Sequence, residues 1–251
     1  MKIAVLVPDR TKDTVFGMDF LGRDGAVHAH APNLRRISKT ERELVELPDG
    51  RAFRSMSRAS VLLHSVGLSL KEAIAEAVAV DPFSVGIYCA LNNGPEDYLA
   101  AEKILQSGYE QGFAAEYRRL KNPKHYLKQL PNLAPAQLGI FLGAMGPTVT
   151  CTHSRFGSLH AIEAAQFDLS LGVVKQALIC TAFSHEDALL SLRTRSQIPG
   201  TVTLSEGAAA IVVDKGFINF RLPTHEFMGS NDEHYGIANY LLQIALGGSI
   251  Q

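Results

Sequence analysis

The sequence predicts an α/β fold in which a mixed sheet is covered by helices on both faces. Three observations lead there. The runs IAVLV, VGIYCAL, QALICTAF and GAAAIVVD are apolar almost throughout, as expected for strands buried on both faces. The segments between several of them repeat their apolar residues at helical spacing. No internal repeat, low-complexity tract or flexible linker interrupts the chain, so residues 1–251 read as one domain.

Taken in order, residues 3–7 (IAVLV) predict a buried first strand. Residues 8–52 are polar and irregular, with Gly22, Gly25, Pro32, Pro48 and Gly50, and read as loops with short elements. From Ser57 to Val80, Val61, Leu62, Ser65, Leu68, Ile74, Ala77 and Val78 trace a helical stripe. Ser69 and Glu72 have capping-box spacing, so the helix is expected to restart there. Residues 85–91 are a second buried strand, ended by Asn92-Asn93-Gly94-Pro95. Helical patterns follow at about 96–107 and 110–121, and Asn122-Pro123 breaks them. Residues 132–145 read as a buried helix, 148–153 as a strand, 156–171 as a helix and 176–183 as a strand. Residues 207–214 and 217–222 look like a hairpin turned by Lys215-Gly216. Asp232 can cap a last helix containing Tyr235, Ile237, Tyr240, Leu241 and Ile244.

Composition excludes several classes. Net charge is −1, without the basic excess of a nucleic-acid binder. The densest basic stretch, Arg118, Arg119, Lys121, Lys124 and Lys128, reads as a solvated helix face. Cys89, Cys151 and Cys180 sit in apolar stretches without CxxC spacing, as reduced thiols of a cytosolic protein do. The nine histidines show no ligand spacing, so neither a metal nor a cofactor is expected. IAVLVP is too short for a secretion leader. LGIFLGAMGPTVTC contains Gly-Pro and is too short to cross a bilayer. The expectation is a soluble, cytoplasmic chain with no membrane or nucleic-acid partner.

One stretch carries the functional question. GPTVTCTHSRFGSLHAIEAA, residues 146–165, reads as a buried strand, a sharp turn and a helix. Many α/β enzymes mount a nucleophile on such a turn. A helix N-terminus presents free N–H groups and partial positive charge, which favours a thiolate there. The residue at the tip, however, is Arg155. Its guanidinium has the wrong sign and cannot lose its proton, so it would fill the pocket and seek a carboxylate or carbonyl. Cys151 lies within the strand and reads as core packing. His153 and Ser154 are neighbours in extended chain, point to opposite faces, and make a poor Ser-His pair.

Several motifs occur in the order found in the β-ketoacyl synthases of the thiolase-like fold. Arg54-Ser55-Met56-Ser57-Arg58 resembles the opening of their first long helix, and VGIYCALNNGP their strand and glycine loop. Asn132, Gln137 and Gly139 precede Gly146-Pro147 as in that family, and LSEGAAAIVVD, residues 204–214, resembles its GEGA strand. The resemblance covers about residues 54–214. It implies that Arg155 occupies the position of the family's nucleophilic cysteine and that Cys151 comes four residues too early. It also implies a missing second half, because that half carries the two histidines, or His and Asn, that drive decarboxylation. His225 and His234 lack the family's glycine-rich setting and read as surface residues.

The implied role is that of a catalytically inactive homologue, the chain length factor of type II polyketide systems, cut down to the first half of the fold. Such a subunit pairs with an active ketosynthase through the strand before the elbow, here Thr148, Val149, Thr150, Cys151, Thr152 and His153. It shapes the acyl tunnel, with Tyr98, Leu105, Tyr109, Phe113 and Tyr117 as lining or interface candidates by position in the family. An acyl carrier protein, reached directly by the basic stretch or through the partner, is the other expected contact. Loss of the second half is expected to leave apolar surface exposed and to make the partner obligatory. The alternatives are a thiolase-like acyltransferase or hydrolase using Cys151, and a self-associating scaffold.

Overall fold

The apolar runs assemble into one sheet. Strand β1 spans Lys2–Leu6, β4 Val85–Leu91, β5 Thr148–Cys151, β6 Gln176–Phe183 and β8 Gly207–Asp214. β4 pairs in parallel with β5 on one side and β6 on the other, β6 pairs antiparallel with β8, and β8 antiparallel with β1. The order is β1-β8-β6-β4-β5. This computed structural model describes residues 1–9, 15–21, 27–95, 112–120, 123–153, 156–186, 188–219 and 233–247.

Alternation along the strands sorts side chains into two layers. Ile87, Cys89 and Leu91 of β4 share one face with Leu178 and Cys180 of β6 and Ala208, Ala210 and Val212 of β8. Tyr88, Ala90, Ile179, Phe183, Ala209, Ile211 and Val213 face the other way. Helices α2 (Arg58–Ser69), α3 (Lys71–Val80) and α6 (Leu133–Leu142) cover the first face. Helix α7 (Gly157–Leu171) covers the second, joined by α9 (Asn239–Gly247). The expected mixed sheet with helices on both faces is what forms.

Local chemistry explains where elements begin. Helix α1 (Glu41–Leu44) opens with a capping box in which Glu43 accepts from the backbone N–H and hydroxyl of Thr40, both at 2.7 Å. Ser57 caps α2 by accepting from Ser60 N at 3.2 Å. The helix does restart near Ser69, but not through the expected box. Ser69 Oγ donates back to Val66 O at 2.8 Å, and Leu70 occupies the cap position. Helix α4 (Phe113–Leu120) fulfils part of the expected 110–121 helix. Pro123 does not merely break the pattern; it opens α5 (Pro123–Gln129), where its missing N–H costs nothing.

Four expectations need correction. The region 8–52 carries β2 (Val15–Leu21) and β3 (Val27–Arg35), an antiparallel pair in a second sheet. β7 (Thr203–Ser205) and β9 (Glu233–His234) complete its order, β2-β3-β7-β9. The signal was weak because the pairing is irregular, with register shifts between Phe16 and Asp19, and Pro32 falls where β3 skips a partner. β1 is an edge strand with exposed Lys2 and Ile3 rather than a buried one. The hairpin after β8 does not form, because β1 and β6 already occupy both edges of β8. Lys215–Asn219 instead turns as a 3-10 helix, and Gln166 Nε2 donates to Phe217 O at 3.1 Å. Finally, α8 (Ala188–Gln197) is a helix that the sequence reading lacked, since ALLSLRTRSQ shows no sustained apolar stripe. Asp232 lies outside the described residues, and the last helix starts only at Asn239, after a 3-10 turn at Gly236–Ala238.

A buried ion pair joins the two sheets. Arg58 donates from Nη2 to Glu206 Oε1 at 2.8 Å and from Nε to Glu206 Oε2 at 3.3 Å. Its remaining donors reach Ile37 O at 2.7 Å and Lys39 O at 2.8 Å. Glu206 in turn accepts from Ile37 N at 2.7 Å, while its own N–H bonds Arg35 O at 3.0 Å.

His64, wholly buried in α2, gives the fold a pH dependence. Its Nδ1–H donates to Ser60 O at 2.7 Å, and its ring meets Phe141 edge-on at 5.8 Å. Burial holds its pKa down at about 4, against the opposing pull of the Ser60 bond. The unfolded chain takes up this proton from about pH 6.5 downward, while the folded chain resists it until about pH 4. The contribution is therefore complete above pH 6.5 and is lost as pH falls toward 4. Urea unfolding should show the wild type losing about 3 kcal/mol more than His64→Gln between pH 7 and pH 4.

Candidate functional site

β5 enters the sheet beside β4, with Ile87 N donating to Pro147 O at 2.8 Å and Gly146 N to Val85 O at 3.2 Å. α7 leaves from Gly157. Between them, His153 closes the turn. Its carbonyl accepts from Gly157 N at 2.7 Å and its Nδ1 from Phe156 N at 3.2 Å. The His153 ring stacks on Phe156 at 5.5 Å, and His160 approaches edge-on at 5.8 Å. The strand and the helix thus stand where the sequence placed them, the strand ending at Cys151 rather than at residue 153. Ser154 and Arg155 lie outside the described residues.

The space over this mount is filled from the C-terminal part of the chain. Ser158 Oγ donates to Ile237 O, and the Ile237 side chain lies 2.6 Å from where a Cβ on Gly157 would be. Only a glycine at 157 admits it. Gly236 has φ +54°, and a Cβ there would run into the Phe183 ring. Tyr235, Ile237, Tyr240, Leu241, Leu242 and Ile244 are all buried in the α7 layer. The C-terminal segment of the chain thus covers the α7 layer.

The thiols are poorly placed for attack. Cys151 is half-buried, with its side chain against the α7 layer. Burial first, then the nearby Cys89 and Glu163, push its thiol above the ordinary value of 9.0. A nucleophilic cysteine needs the opposite shift. Cys89 faces Cys180 across β4 and β6, and burial followed by Cys180 raises its thiol well above that value.

Other candidates scatter. Tyr98, Leu105 and Tyr109 lie outside the described residues, as does the Phe113 side chain. Tyr117 is exposed on α4. In the basic stretch, Arg119 Nη2 reaches Glu116 at 2.8 Å, while Lys121 is outside the described residues. His225 is also outside them; His234 is half-buried in β9 rather than on the surface. Among the described residues no group of His, Cys, Asp and Glu converges as metal ligands, and no helix is long and apolar enough to cross a membrane.

The strand that the resemblance makes the pairing strand stands at an edge: among the described residues β5 pairs with β4 alone. Thr148, Thr152 and His153 are exposed there, and Val149, Thr150 and Cys151 half-buried. The helices packed on β5 add exposed Ile140 on α6 and Phe167 and Leu171 on α7, and Met145 is exposed in the loop before the strand. One feature escaped the sequence reading, a cavity of about 260 Å³ under α8, lined by Asn92, Phe183, Leu190, Thr194, His234 and Ile237 among others. Nothing in sequence spacing joins these positions, because they meet only where β4, β6, α8 and β9 end.

Two outcomes follow. Cys151 should alkylate with iodoacetamide more slowly than free cysteine at pH 7.5, with a rate that keeps rising past pH 9. Ser158→Ala should cost about 1 to 2 kcal/mol in urea unfolding, because the Ile237 carbonyl loses its buried donor.

No protein-family model matches the sequence, and neither does any curated protein. Solved structures do match in fold. A type II polyketide synthase ketosynthase complexed with its acyl carrier protein aligns with a TM-score of 0.57 at 22% identity, over 73% of this chain and 52% of that one. The ishigamide ketosynthase/chain length factor aligns at 0.55 and 19% identity, over 77% and 52%. A ketosynthase in complex with its chain length factor from Xenorhabdus doucetiae aligns at 0.53 and 16% identity, over 80% and 50%. The chain therefore has the thiolase-like fold of the ketosynthases and spans about half the length of the structures it matches.

Proposed function

We propose that this chain is a catalytically inactive, ketosynthase-like subunit, a chain length factor that pairs with an active ketosynthase of a type II polyketide synthase. The observation that carries the reading is the edge of β5, which among the described residues pairs with β4 alone. Pro147 O accepts from β4, so by the alternation of a parallel ladder the N–H groups of Thr148 and Thr150 point outward, ready for an added strand. Ile140, Met145, Phe167 and Leu171 would be buried with it. The raised Cys151 thiol and the Ile237 seat over Gly157 support inactivity. In this reading Arg155 replaces the nucleophile. Residues Tyr98, Leu105, Tyr109, Phe113 and Tyr117 belong to the wall of a shared acyl tunnel, and an acyl carrier protein docks on the assembled pair.

Thr150→Pro removes one outward N–H without touching the β4 ladder. Co-expressed with an intact ketosynthase, the wild type should co-purify as a stable pair. Thr150→Pro should lower the yield of that pair at least about tenfold, with Tm within a few degrees of wild type. Undiminished pairing by the variant would reject the strand-pairing reading. Acylation of the isolated chain by an acyl thioester, abolished in Cys151→Ala, would reject inactivity and favour the acyltransferase alternative.

A further inference from the structure

One imidazole fastens the start of α7 to the end of β5. Phe156 stands at the cap position of α7 and brings no side-chain acceptor of its own. The N–H groups of Phe156 and Gly157 both turn back to His153, the first to its Nδ1 at 3.2 Å and the second to its carbonyl at 2.7 Å. A ring nitrogen that accepts from an amide carries no proton, so neutral His153 holds its hydrogen on Nε2. Stacking on Phe156, with centroids 5.5 Å apart and planes 23° from parallel, keeps the ring in place. His153 is exposed, so protons from solvent reach it.

Protonation undoes this contact. An imidazolium has two N–H donors and no lone pair left for Phe156. It also sets positive charge at the positive end of a fifteen-residue helix. The surroundings compensate little. His160 stands edge-on at 5.8 Å and adds charge of the same sign when it takes a proton. Burial raises the thiol of Cys151 on β5 and the phenol of Tyr240 on α9, so both stay neutral. Among the described residues of β4, β5, α6, α7 and α9, the carboxylates are Glu163 and Asp168. Glu163 lies about 9 Å along the axis from the first residue of α7. Asp168 is farther still and accepts from Tyr88 Oη at 2.6 Å. Arg155 lies outside the described residues.

We propose that His153 is a pH-sensitive cap: its neutral Nε2–H form fastens α7 to β5, and protonation releases that fastening. The device works within one chain and does not depend on pairing with a ketosynthase.

Long-range proton–nitrogen NMR on the intact chain reads the tautomer directly. At about pH 8 the hydrogen of His153 should be on Nε2. On titration to about pH 5, the Phe156 amide proton should shift upfield with the same midpoint as the His153 ring, and its exchange protection should fall about fivefold. His153→Asn keeps an acceptor that does not titrate, so this midpoint should vanish from the Phe156 amide, whereas His160→Gln should retain it. A hydrogen on Nδ1 at about pH 8, or a wild-type Phe156 amide that does not follow the His153 ring, would overturn the proposal without recourse to any variant. A midpoint that survives in His153→Asn would overturn it as well.

Discussion

The joint between Arg58 and Glu206 is the constraint on which the rest of the molecule hangs. β3 ends at Arg35, β7 ends at Ser205 and β8 begins at Gly207, so Glu206 sits where one sheet hands the chain to the other. Arg58 is the first residue of α2, the helix that spans β6 and β8. With both side chains buried, the pair is tolerable only because almost every donor and lone pair finds a partner in the 35–41 segment. Removing one member would strand the other charge inside, at a cost of about 3 to 5 kcal/mol. Exchanging both for apolar residues would spare the charge but release Ile37 and Lys39, and with them the path between the sheets.

The second organising feature is the reach of residues 235–247 back over α7. Tyr240, Leu241, Leu242 and Ile244 are buried against that helix. Some of the exposed apolar side chains, Ile140, Met145, Phe167 and Leu171, lie in segments next to β5. Closure of one face and incompleteness of an edge are physically different conditions. The first concerns the stability of the subunit, the second its associations.

The strongest elements were legible because their patterns were strong. VGIYCAL, QALICTAF and GAAAIVVD are buried on both faces and became central strands with nearly the expected bounds. β2 and β3 were hidden by register shifts and by Pro32, and α8 by a sequence without an apolar stripe. The hairpin after β8 failed for a reason no local pattern carries: β1 had already taken that edge. The strand and helix flanking the expected elbow were readable from Gly146-Pro147 and the apolar residues after it. Its covering by Ile237 was not, since that contact joins residues some eighty positions apart through two small glycine-sized gaps.

The pairing of β1 with β8 sets the order in which the molecule can assemble. Lys2 lies opposite Val212 and Leu6 opposite Ala208, so the first strand in the sequence waits for one of the last. On the ribosome, β4, β5 and β6 can pair early as a parallel ladder, but β6 keeps an open edge until Gly207–Asp214 emerges. Contacts of such long sequence separation are slow to form. Nascent chains of this protein therefore carry an unprotected β6 edge from the emergence of Phe183 until that of Asp214.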